Sequence, residues 1–194
     1  MFKIVLASKS KVRKEILDQN NILSSVIPSN VDEDSIKESL TNQKASPETI
    51  SIKLAELKAN KVSLNNKGLV LGADSVIDLD GKIISKPKNR NEAIEILQKL
   101  NGKKHYLISS VCISKNGSMI WNHTDSSELR MKNFTEEKLK EYLDKISTET
   151  LLAYGVYQIE ANGLELFEYI KGDMESIMGL PVKDIINYIK QYKK

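Results

Sequence analysis

Two dipeptides, Asp80-Gly81 and Asn116-Gly117, constrain the fold of this chain more than any other feature of its sequence. Asp-Gly and Asn-Gly are strong signals for two-residue hairpin turns when apolar runs flank them. Hairpins join antiparallel strands, so a sheet that contains them is not purely parallel. The two turns predict a hairpin over residues 75–84 and a pair of strands over residues 105–113 and 118–124.

Helical segments are predicted around these strands from capping residues and apolar spacing. Ser10 can cap one helix, and Ser46-Pro47-Glu48 begins another with a cap, a proline and an acid. The predicted helices cover residues 11–19, 47–63, 91–100 and 135–144, with a last one opening at Pro181. Apolar runs predict further strands over residues 2–7 and 68–73. Together these segments predict an α/β or α+β fold with a mixed sheet and flanking helices.

Composition narrows the class of protein. The chain has 194 residues, 40% of them hydrophobic, which suits a single domain or two tightly joined lobes with a sizeable core. No apolar run approaches the ~20 residues of a membrane span, and the N-terminal segment is too short and too polar for a signal peptide. A net charge of +3 without a dense basic tract argues against a nucleic-acid surface. Cys112 is the only cysteine, which fits a reducing compartment, so we expect a cytoplasmic protein without membrane or nucleic-acid partners.

The segment from Leu6 to Arg13 predicts a strand that runs into a helix through a serine-containing turn. Free backbone N–H groups at the start of a helix attract phosphate, and Ser8, Ser10 and Arg13 could add hydrogen-bond donors. An ordinary capped helix with a basic first turn is the alternative interpretation.

Asp74 directly follows the apolar run 68–73, so the sequence places it at the end of a buried strand. A buried acid is costly unless it is paired or functional, and loops at strand ends often carry sites in α/β proteins. The alternative is a turn aspartate that hydrogen-bonds its own backbone. Asp32-Glu33-Asp34 is likewise either a loop that binds a hard cation such as Mg²⁺, or a solvated loop or cap of a helix beginning near Ser35.

Two lysines and one glutamate complete the candidates, each with a simpler alternative. Lys58 falls late on the predicted helix 47–63, where a lysine is usually a surface residue. Lys86 precedes Pro87, which favours an extended backbone and could present the ammonium to a phosphate, although it is equally a loop lysine. Glu160 lies among small residues that allow close approach of a ligand, but glycines there more often serve turns. Neither histidine has a partner at zinc-ligand spacing, and His105 is expected to be structural.

The order and spacing of these clusters resemble the Maf family over nearly the whole chain. The resemblance implies a single Maf-like domain over residues 1–194, with a mixed sheet in two lobes similar to inosine triphosphate pyrophosphatases and a nucleotide cleft between the lobes. It also implies a homodimer that uses Mg²⁺ or Mn²⁺. The matching motifs are Leu6–Arg13, Asp32-Glu33, Leu54–Ala59, Gly72–Ser75, Lys86-Pro87, Leu100–His105, and Gly172-Asp173 with Gly179–Pro181.

The activity implied by the resemblance is hydrolysis of non-standard nucleoside triphosphates to monophosphate and pyrophosphate, which cleanses the nucleotide pool. Asp74 is then the proton acceptor, and Glu33 with Asp74 holds the metal. Contacts to the substrate are expected from Ser8, Arg13, Lys58, Lys86 and Glu160. Two alternatives remain: a phosphatase acting on monophosphates, and a non-catalytic nucleotide-binding regulator of septum formation in cell division. An acid beside the phosphates favours catalysis, because its negative charge repels the phosphates and a protein that only binds the nucleotide would not need it.

Three positions are expected to set base specificity, and two of them, Val12 and Glu160, lie where the chain departs from the family pattern. Val12 replaces an arginine, and Glu160 stands where the branch cleaving dTTP and UTP has glutamine. The branch associated with 7-methyl-GTP has glutamate there, although Ser75 differs from that branch's glutamine. A carboxylate can accept both N–H donors of guanine but faces carbonyl oxygens in a pyrimidine. The sequence therefore predicts a preference for guanine-type triphosphates.

Overall fold

The computed structural model describes residues 3–159 and 162–192. Within these residues the chain forms seven strands, eight α-helices and one 3-10 helix. The strands are β1 (Lys3–Leu6), β2 (Leu23–Val26), β3 (Val70–Leu79), β4 (Lys82–Ile84), β5 (Lys104–Lys115), β6 (Ser118–Met131) and β7 (Phe167–Lys171). The helices are α1 (Lys11–Gln19), α2 (Glu33–Asn42), α3 (Pro47–Ser63), α4 (Arg90–Leu100), α5 (Glu136–Asp144), α6 (Thr148–Tyr154), α7 (Met174–Ile177) and α8 (Val182–Tyr192), with the 3-10 helix at Asn162–Leu166.

The strands form one mixed sheet, which confirms the predicted fold class. Its order is β2-β1-β3-β5-β6-β7, with β4 paired to β3. Strand β1 is parallel to both β2 and β3, whereas β4 is antiparallel to β3 and β7 is antiparallel to β6. Both predicted turns are present: Asp80 and Gly81 have φ of 53° and 79°, and Asn116 and Gly117 have φ of 52° and 81°. These left-handed conformations are the ones that the two-residue turns require.

Two sequence predictions are wrong about where elements begin and end. Strand β3 runs unbroken from Val70 to Leu79, so Asp74 lies inside the strand and not after it. Asp74 and Ser75 are tolerated inside the strand because each side chain has a polar partner, Lys58 for Asp74 and Arg13 for Ser75. Asp32 is the cap of a helix, which is one of the interpretations that the sequence left open, but α2 begins at Glu33 and not near Ser35. The Asp32 side chain accepts a hydrogen bond from the backbone N–H of Ser35. Strands β2 and β7 and helices α6 and α7 have no counterpart among the segments predicted from the sequence.

The chain divides into two compact units. Unit 1 comprises residues 1–75, 108–126 and 173–194, and unit 2 comprises residues 76–107 and 127–172. Within the described part of the chain, no helix is both long and apolar enough to cross a membrane.

Unit 1 buries apolar side chains on both faces of its strands, since neighbouring residues of a strand point to opposite faces. Strands β1, β3 and β5 supply alternate residues to each face. One cluster includes residues of α1 and α8, and the other includes residues of α3. The first contains Ile4, Leu6, Ile16, Leu17, Leu69, Leu71, Ala73, Val111, Ile113, Leu180, Val182, Ile185 and Ile189; the second contains Ala7, Ala55, Ala59, Val62, Val70 and Cys112.

Unit 2 packs α4 against α5 and α6. Arg90, at the start of α4, donates to the carbonyl oxygens of Leu143 and Ile146, which satisfies acceptors near the C-terminal end of α5. His105 is 1% exposed, and its Nε2 lies 3.1 Å from the hydroxyl of Tyr157. Its structural role is therefore confirmed.

Candidate active site

Strand β3 and helix α3 approach each other closely because Gly72 faces two alanines. A Cβ at position 72 would lie 2.2 Å from the carbonyl oxygen of Ala55 and 2.9 Å from the Cβ of Ala59. Only glycine permits this distance between the two backbones. The next residue on the same face of β3 is Asp74, and the approach brings it against Lys58 of α3.

Lys58 is buried between two carboxylates. Its Nζ lies 2.7 Å from Oδ1 of Asp74 and 2.9 Å from Oε1 of Glu33. The side chains of Lys58 and Asp74 are 6% and 5% exposed, whereas that of Glu33 is 42% exposed. The three charges lie within unit 1 and join α2, α3 and β3. Buried charges persist when they are paired in this way.

One oxygen of Asp74 remains unsatisfied. Oδ2 is buried and accepts no hydrogen bond from any described residue. The backbone carbonyl of Asp74 accepts a hydrogen bond from the hydroxyl of Ser51, which fixes this part of the strand. Native proteins rarely leave a buried carboxylate oxygen unpaired, so Oδ2 is a candidate position for binding a water molecule or a cation.

Arg13 connects three segments on the other side of β3. Its Nε donates to the carbonyl of Gly179 at 2.9 Å, and its Nη1 donates to the carbonyl of Ala73 at 2.9 Å. Its Nη2 donates to the hydroxyl of Ser75 at 3.1 Å, and Nη1 lies 3.4 Å from the hydroxyl of Ser8. Most of the five N–H donors of the guanidinium are thus used within the protein.

The electrostatic setting of Arg13 links it to the carboxylate pair. Burial lowers the pKa of the Arg13 guanidinium from its ordinary value, and the charges of Asp74 and Glu33 oppose that shift. Arg13 therefore balances the same negative charge that Lys58 does, although it makes no hydrogen bond to either carboxylate among the described residues.

Ser75 lies beside Arg13 and has a second hydroxyl partner, which the sequence did not predict. Its hydroxyl is 2.9 Å from that of Ser109 on β5, which is 1% exposed. Two serines, Ser109 and Ser110, interrupt an otherwise apolar strand, and this was the signal in the sequence for polar partners inside the sheet.

The structure also explains why the closing Gly-Leu-Pro motif has a glycine at position 179. Gly179 has φ of 97°, and a Cβ there would lie 3.1 Å from Oγ of Ser75 and 3.2 Å from Nε of Arg13.

The segment from Leu6 to Arg13 remains open to both interpretations, an ordinary capped helix and a phosphate-binding helix start. Ser10 caps α1 as predicted, accepting a hydrogen bond from the backbone N–H of Arg13. Ser8 is buried, and its hydroxyl accepts from the N–H of Ser10 at 3.2 Å. Val12 is half-buried and packs against the first apolar cluster. The cap is structural, and phosphate binding at this helix start stays a prediction.

Lys58 has a different environment from the one that the sequence predicts. A lysine late in a helix is usually at the surface, yet Lys58 is among the buried residues of α3. The signal was its spacing, because it follows Ile50 and Leu54 at intervals of four and therefore belongs to the buried face.

Two other residues were predicted to contact the substrate, Lys86 and Glu160. Lys86 belongs to unit 2, where its Nζ donates to the carbonyl of Ala153 at 2.6 Å. Glu160 lies outside the described residues, so its predicted contact with the base stays a prediction. Cys112 is buried, and burial raises the pKa of its thiol to about 11, which removes it as a thiolate nucleophile at neutral pH.

The donors available for a metal are two carboxylates. Among residues 3–159 and 162–192, no group of three or more histidine, cysteine, aspartate or glutamate side chains could hold an ion. Glu33 and Asp74 nevertheless fit a cation such as Mg²⁺, which proteins often bind through one or two carboxylates while water and substrate phosphates supply the other ligands. The unpaired Oδ2 of Asp74 agrees with that use. The Asp32 side chain caps α2 instead, and its hydrogen bonds with Ser35 lower its pKa.

The chain is similar to a known family and to several known proteins. A family model described as Maf-like protein matches residues 3–192. A nucleoside triphosphate pyrophosphatase of Pelagibacter ubique is 62% identical over 191 residues, covering 98% of each chain. One of Caulobacter vibrioides is 35% identical over 187 residues, covering 96% of this chain and 94% of the relative. The solved structure of a HAM1 protein from Coxiella burnetii is 14% identical with a TM-score of 0.41, covering 68% of this chain and 73% of the other.

Proposed function

Because the chain belongs to the family of Maf-like proteins, we propose that it is a nucleoside triphosphate pyrophosphatase that removes modified nucleotides from the nucleotide pool. The products are a nucleoside monophosphate and pyrophosphate. The observation that carries the proposal is the cluster of the buried Asp74 and Lys58 with the partly exposed Glu33, in which Oδ2 of Asp74 has no hydrogen-bond donor among the described residues. The names of full-length relatives support the same activity.

The proposed reaction is attack of water on the α-phosphorus with pyrophosphate as the leaving group. Such a reaction asks the protein for positioning and for neutralisation of charge more than for covalent chemistry. Asp74 orients the water through Oδ2 and accepts its proton. The ion pair with Lys58 holds this carboxylate in place, and the hydrogen bond from Ser51 fixes the backbone carbonyl of the same residue.

Glu33 and Asp74 are the residues that would hold Mg²⁺ or Mn²⁺. A divalent cation, when bound, neutralises charge on the triphosphate and polarises the reacting phosphorus–oxygen bonds. An aspartate bound directly to a metal is a poor base, so proton acceptor and metal ligand are alternative roles for Asp74, which serves one of them rather than both.

The proposed phosphate ligands are cationic side chains and one helix start. Arg13 and Lys58 supply positive charge within unit 1, and Ser8 with the first turn of α1 supplies hydroxyl and N–H donors. Lys86 of unit 2 is proposed as a further cation for the triphosphate. These contacts do not depend on the base, so losing any one of them is expected to impair hydrolysis of every substrate.

Base selection is proposed to rest on Glu160, with Val12 and Ser75 as secondary determinants. The chemistry favours guanine-type triphosphates, with 7-methyl-GTP included, over dTTP and UTP, because a carboxylate pairs with the adjacent N–H donors of guanine. Activity as a cytoplasmic homodimer completes the proposal, supported by the family resemblance alone.

A screen of canonical and modified nucleoside triphosphates with Mg²⁺, detecting both pyrophosphate and orthophosphate, tests this function. We expect equal amounts of monophosphate and pyrophosphate and no orthophosphate. Orthophosphate released from monophosphates would instead identify a phosphatase. Tight nucleotide binding without turnover would identify the non-catalytic regulator and would refute the proposal.

A further inference from the structure

Lys58 holds the position between two carboxylates that a divalent cation would also need. We propose that Lys58 is a built-in counter-ion of Glu33 and Asp74, which keeps this pair from binding a divalent cation tightly until a triphosphate draws the ammonium away. Metal and nucleotide would then bind with mutual reinforcement. This inference rests on the proposed function, because it concerns the same two carboxylates.

The hydrogen bonds of the ammonium support a closed arrangement. A lysine ammonium has three N–H donors, and three acceptors surround Nζ. They are Oδ1 of Asp74 at 2.7 Å, Oε1 of Glu33 at 2.9 Å and the carbonyl oxygen of Ala73 at 3.5 Å. Lys58 therefore has to give up at least one of these bonds before it can donate to a phosphate.

The charges around the two carboxylates show why the ammonium and a cation compete. Lys58 lies between Glu33 and Asp74, Lys37 lies 4.0 Å from the other carboxylate oxygen of Glu33, and the buried Arg13 interacts electrostatically with both carboxylates. A divalent cation added to this group would face the Lys58 ammonium at short range, and removing that ammonium takes away the positive charge nearest to the ion. A triphosphate supplies anionic oxygens that can accept the ammonium, so the exchange of partners keeps every charge compensated.

The two carboxylates are also placed unequally, which leaves an entry for the cation. Glu33 is 42% exposed and can meet a hydrated ion at the surface, whereas Asp74 is 5% exposed. Oδ2 of Asp74 has no hydrogen-bond donor among the described residues, so the ammonium leaves part of the acceptor capacity of the pair unused. Glu33 and Asp74 thus provide the ligands for a cation, and Lys58 keeps their affinity for it low.

Titration with Mn²⁺ alone, without nucleotide, tests this directly, with free Mn²⁺ measured by electron paramagnetic resonance. We expect Lys58→Met and Lys58→Gln to bind one Mn²⁺ about tenfold or more tightly than the wild type, because a positive charge next to the ion has been removed. Lys58→Gln keeps an amide donor for Asp74, so it serves if the methionine variant folds poorly. The matched control is Lys53→Met on the same helix, whose exposed side chain pairs with Glu56; it should bind Mn²⁺ as the wild type does.

A second substitution locates the ion. Adding Asp74→Asn to Lys58→Met should abolish the gain in affinity, and a gain that survives would overturn the proposal. So would Lys58 variants that bind Mn²⁺ no more tightly than the wild type, or a wild type that already binds it tightly alone. The titration contains no substrate, so failure of the pyrophosphatase assignment would be seen separately, as an absence of pyrophosphate release.

Discussion

Asp74 combines two properties at the level of a single residue: one oxygen is fixed in an ion pair with Lys58, and the other is buried without a donor among the described residues. A group in this state is suited to take a proton from a water molecule that it has positioned. We expect Asp74→Asn to keep the fold and lower kcat by at least ~10², the usual effect of losing a positioned base.

The control for this prediction is Asp34→Asn, which removes an exposed carboxylate from the residue next to Glu33. It should retain wild-type turnover, because its side chain takes no part in the cluster with Lys58. Near wild-type kcat in Asp74→Asn would remove Asp74 from the mechanism.

Glu160 determines the second prediction at this scale. We expect the wild type to have a higher kcat/KM for 7-methyl-GTP and GTP than for dTTP and UTP, by about tenfold or more for a mispaired hydrogen-bonding edge. Glu160→Gln should narrow or reverse that ranking, since an amide can donate to a pyrimidine carbonyl. The check is kcat/KM for all four nucleotides in both proteins. A wild type that prefers UTP, or a variant with the same ranking, would refute this role of Glu160 and leave the reaction class intact.

At the scale of elements, the spacing between β3 and α3 sets the geometry of the site. Gly72→Ala would force these elements apart, because the new Cβ would lie 2.2 Å from a backbone oxygen of α3. Overpacking of this kind costs about 1–3 kcal/mol of stability. It should also lower turnover strongly, since Asp74 and Lys58 are on the two elements that separate.

Gly68→Ala separates the loss of stability from the loss of geometry. Gly68 has φ of 104° with nothing within 4 Å of an added Cβ, so an alanine there is strained but displaces no neighbour. Both variants should melt at lower temperature than the wild type, while Gly68→Ala keeps its kcat. Equal turnover in the two variants below their melting transitions would contradict a role for the β3–α3 spacing.

The same elements show how much of the structure was predictable. Turn dipeptides, capping serines and helical spacing predicted both hairpins and helices α1, α3, α4, α5 and α8, because these signals act locally. The course of β3 through Asp74 was not predictable from local signals. Whether an aspartate is tolerated inside a strand depends on Lys58, which lies 16 positions earlier in the chain.

For the candidate site, the sequence predicted a set of residues but not how they are arranged. Family resemblance brought Glu33, Lys58 and Asp74 together, and the structure places them within hydrogen-bonding distance. The use of Arg13 for internal hydrogen bonds to Ser75 and Gly179 could not be foreseen, because it depends on the contact of α1 with segments distant in sequence.

At the scale of the whole molecule, one buried histidine makes stability depend on pH. Burial lowers the pKa of His105 from 6.5 to about 4. Because the folded pKa lies below the unfolded one, the unfolded chain takes up the proton first as the pH falls. Stability is then lost progressively from about pH 6.5 down to pH 4, by about 3 kcal/mol for a shift of this size.

His105→Gln should remove this part of the pH dependence. The measurement is chemical or thermal unfolding of the wild type and the variant at pH 7, 5.5 and 4.5. His123→Gln is the control, because His123 is partly exposed and lies beside Asp184. A wild type and His105→Gln that lose stability in parallel over this range would contradict the assignment.

Hydrolysis at the α-phosphorus is the central claim, and a single turnover in ¹⁸O-labelled water tests it most directly. The wild type is mixed in excess over GTP or 7-methyl-GTP with Mg²⁺, and the products are analysed by mass spectrometry. We predict one ¹⁸O atom in the nucleoside monophosphate, none in the pyrophosphate, and the same pattern at a rate at least ~10² lower in Asp74→Asn. Label in pyrophosphate or orthophosphate would show attack at a different phosphorus and would contradict the proposed mechanism.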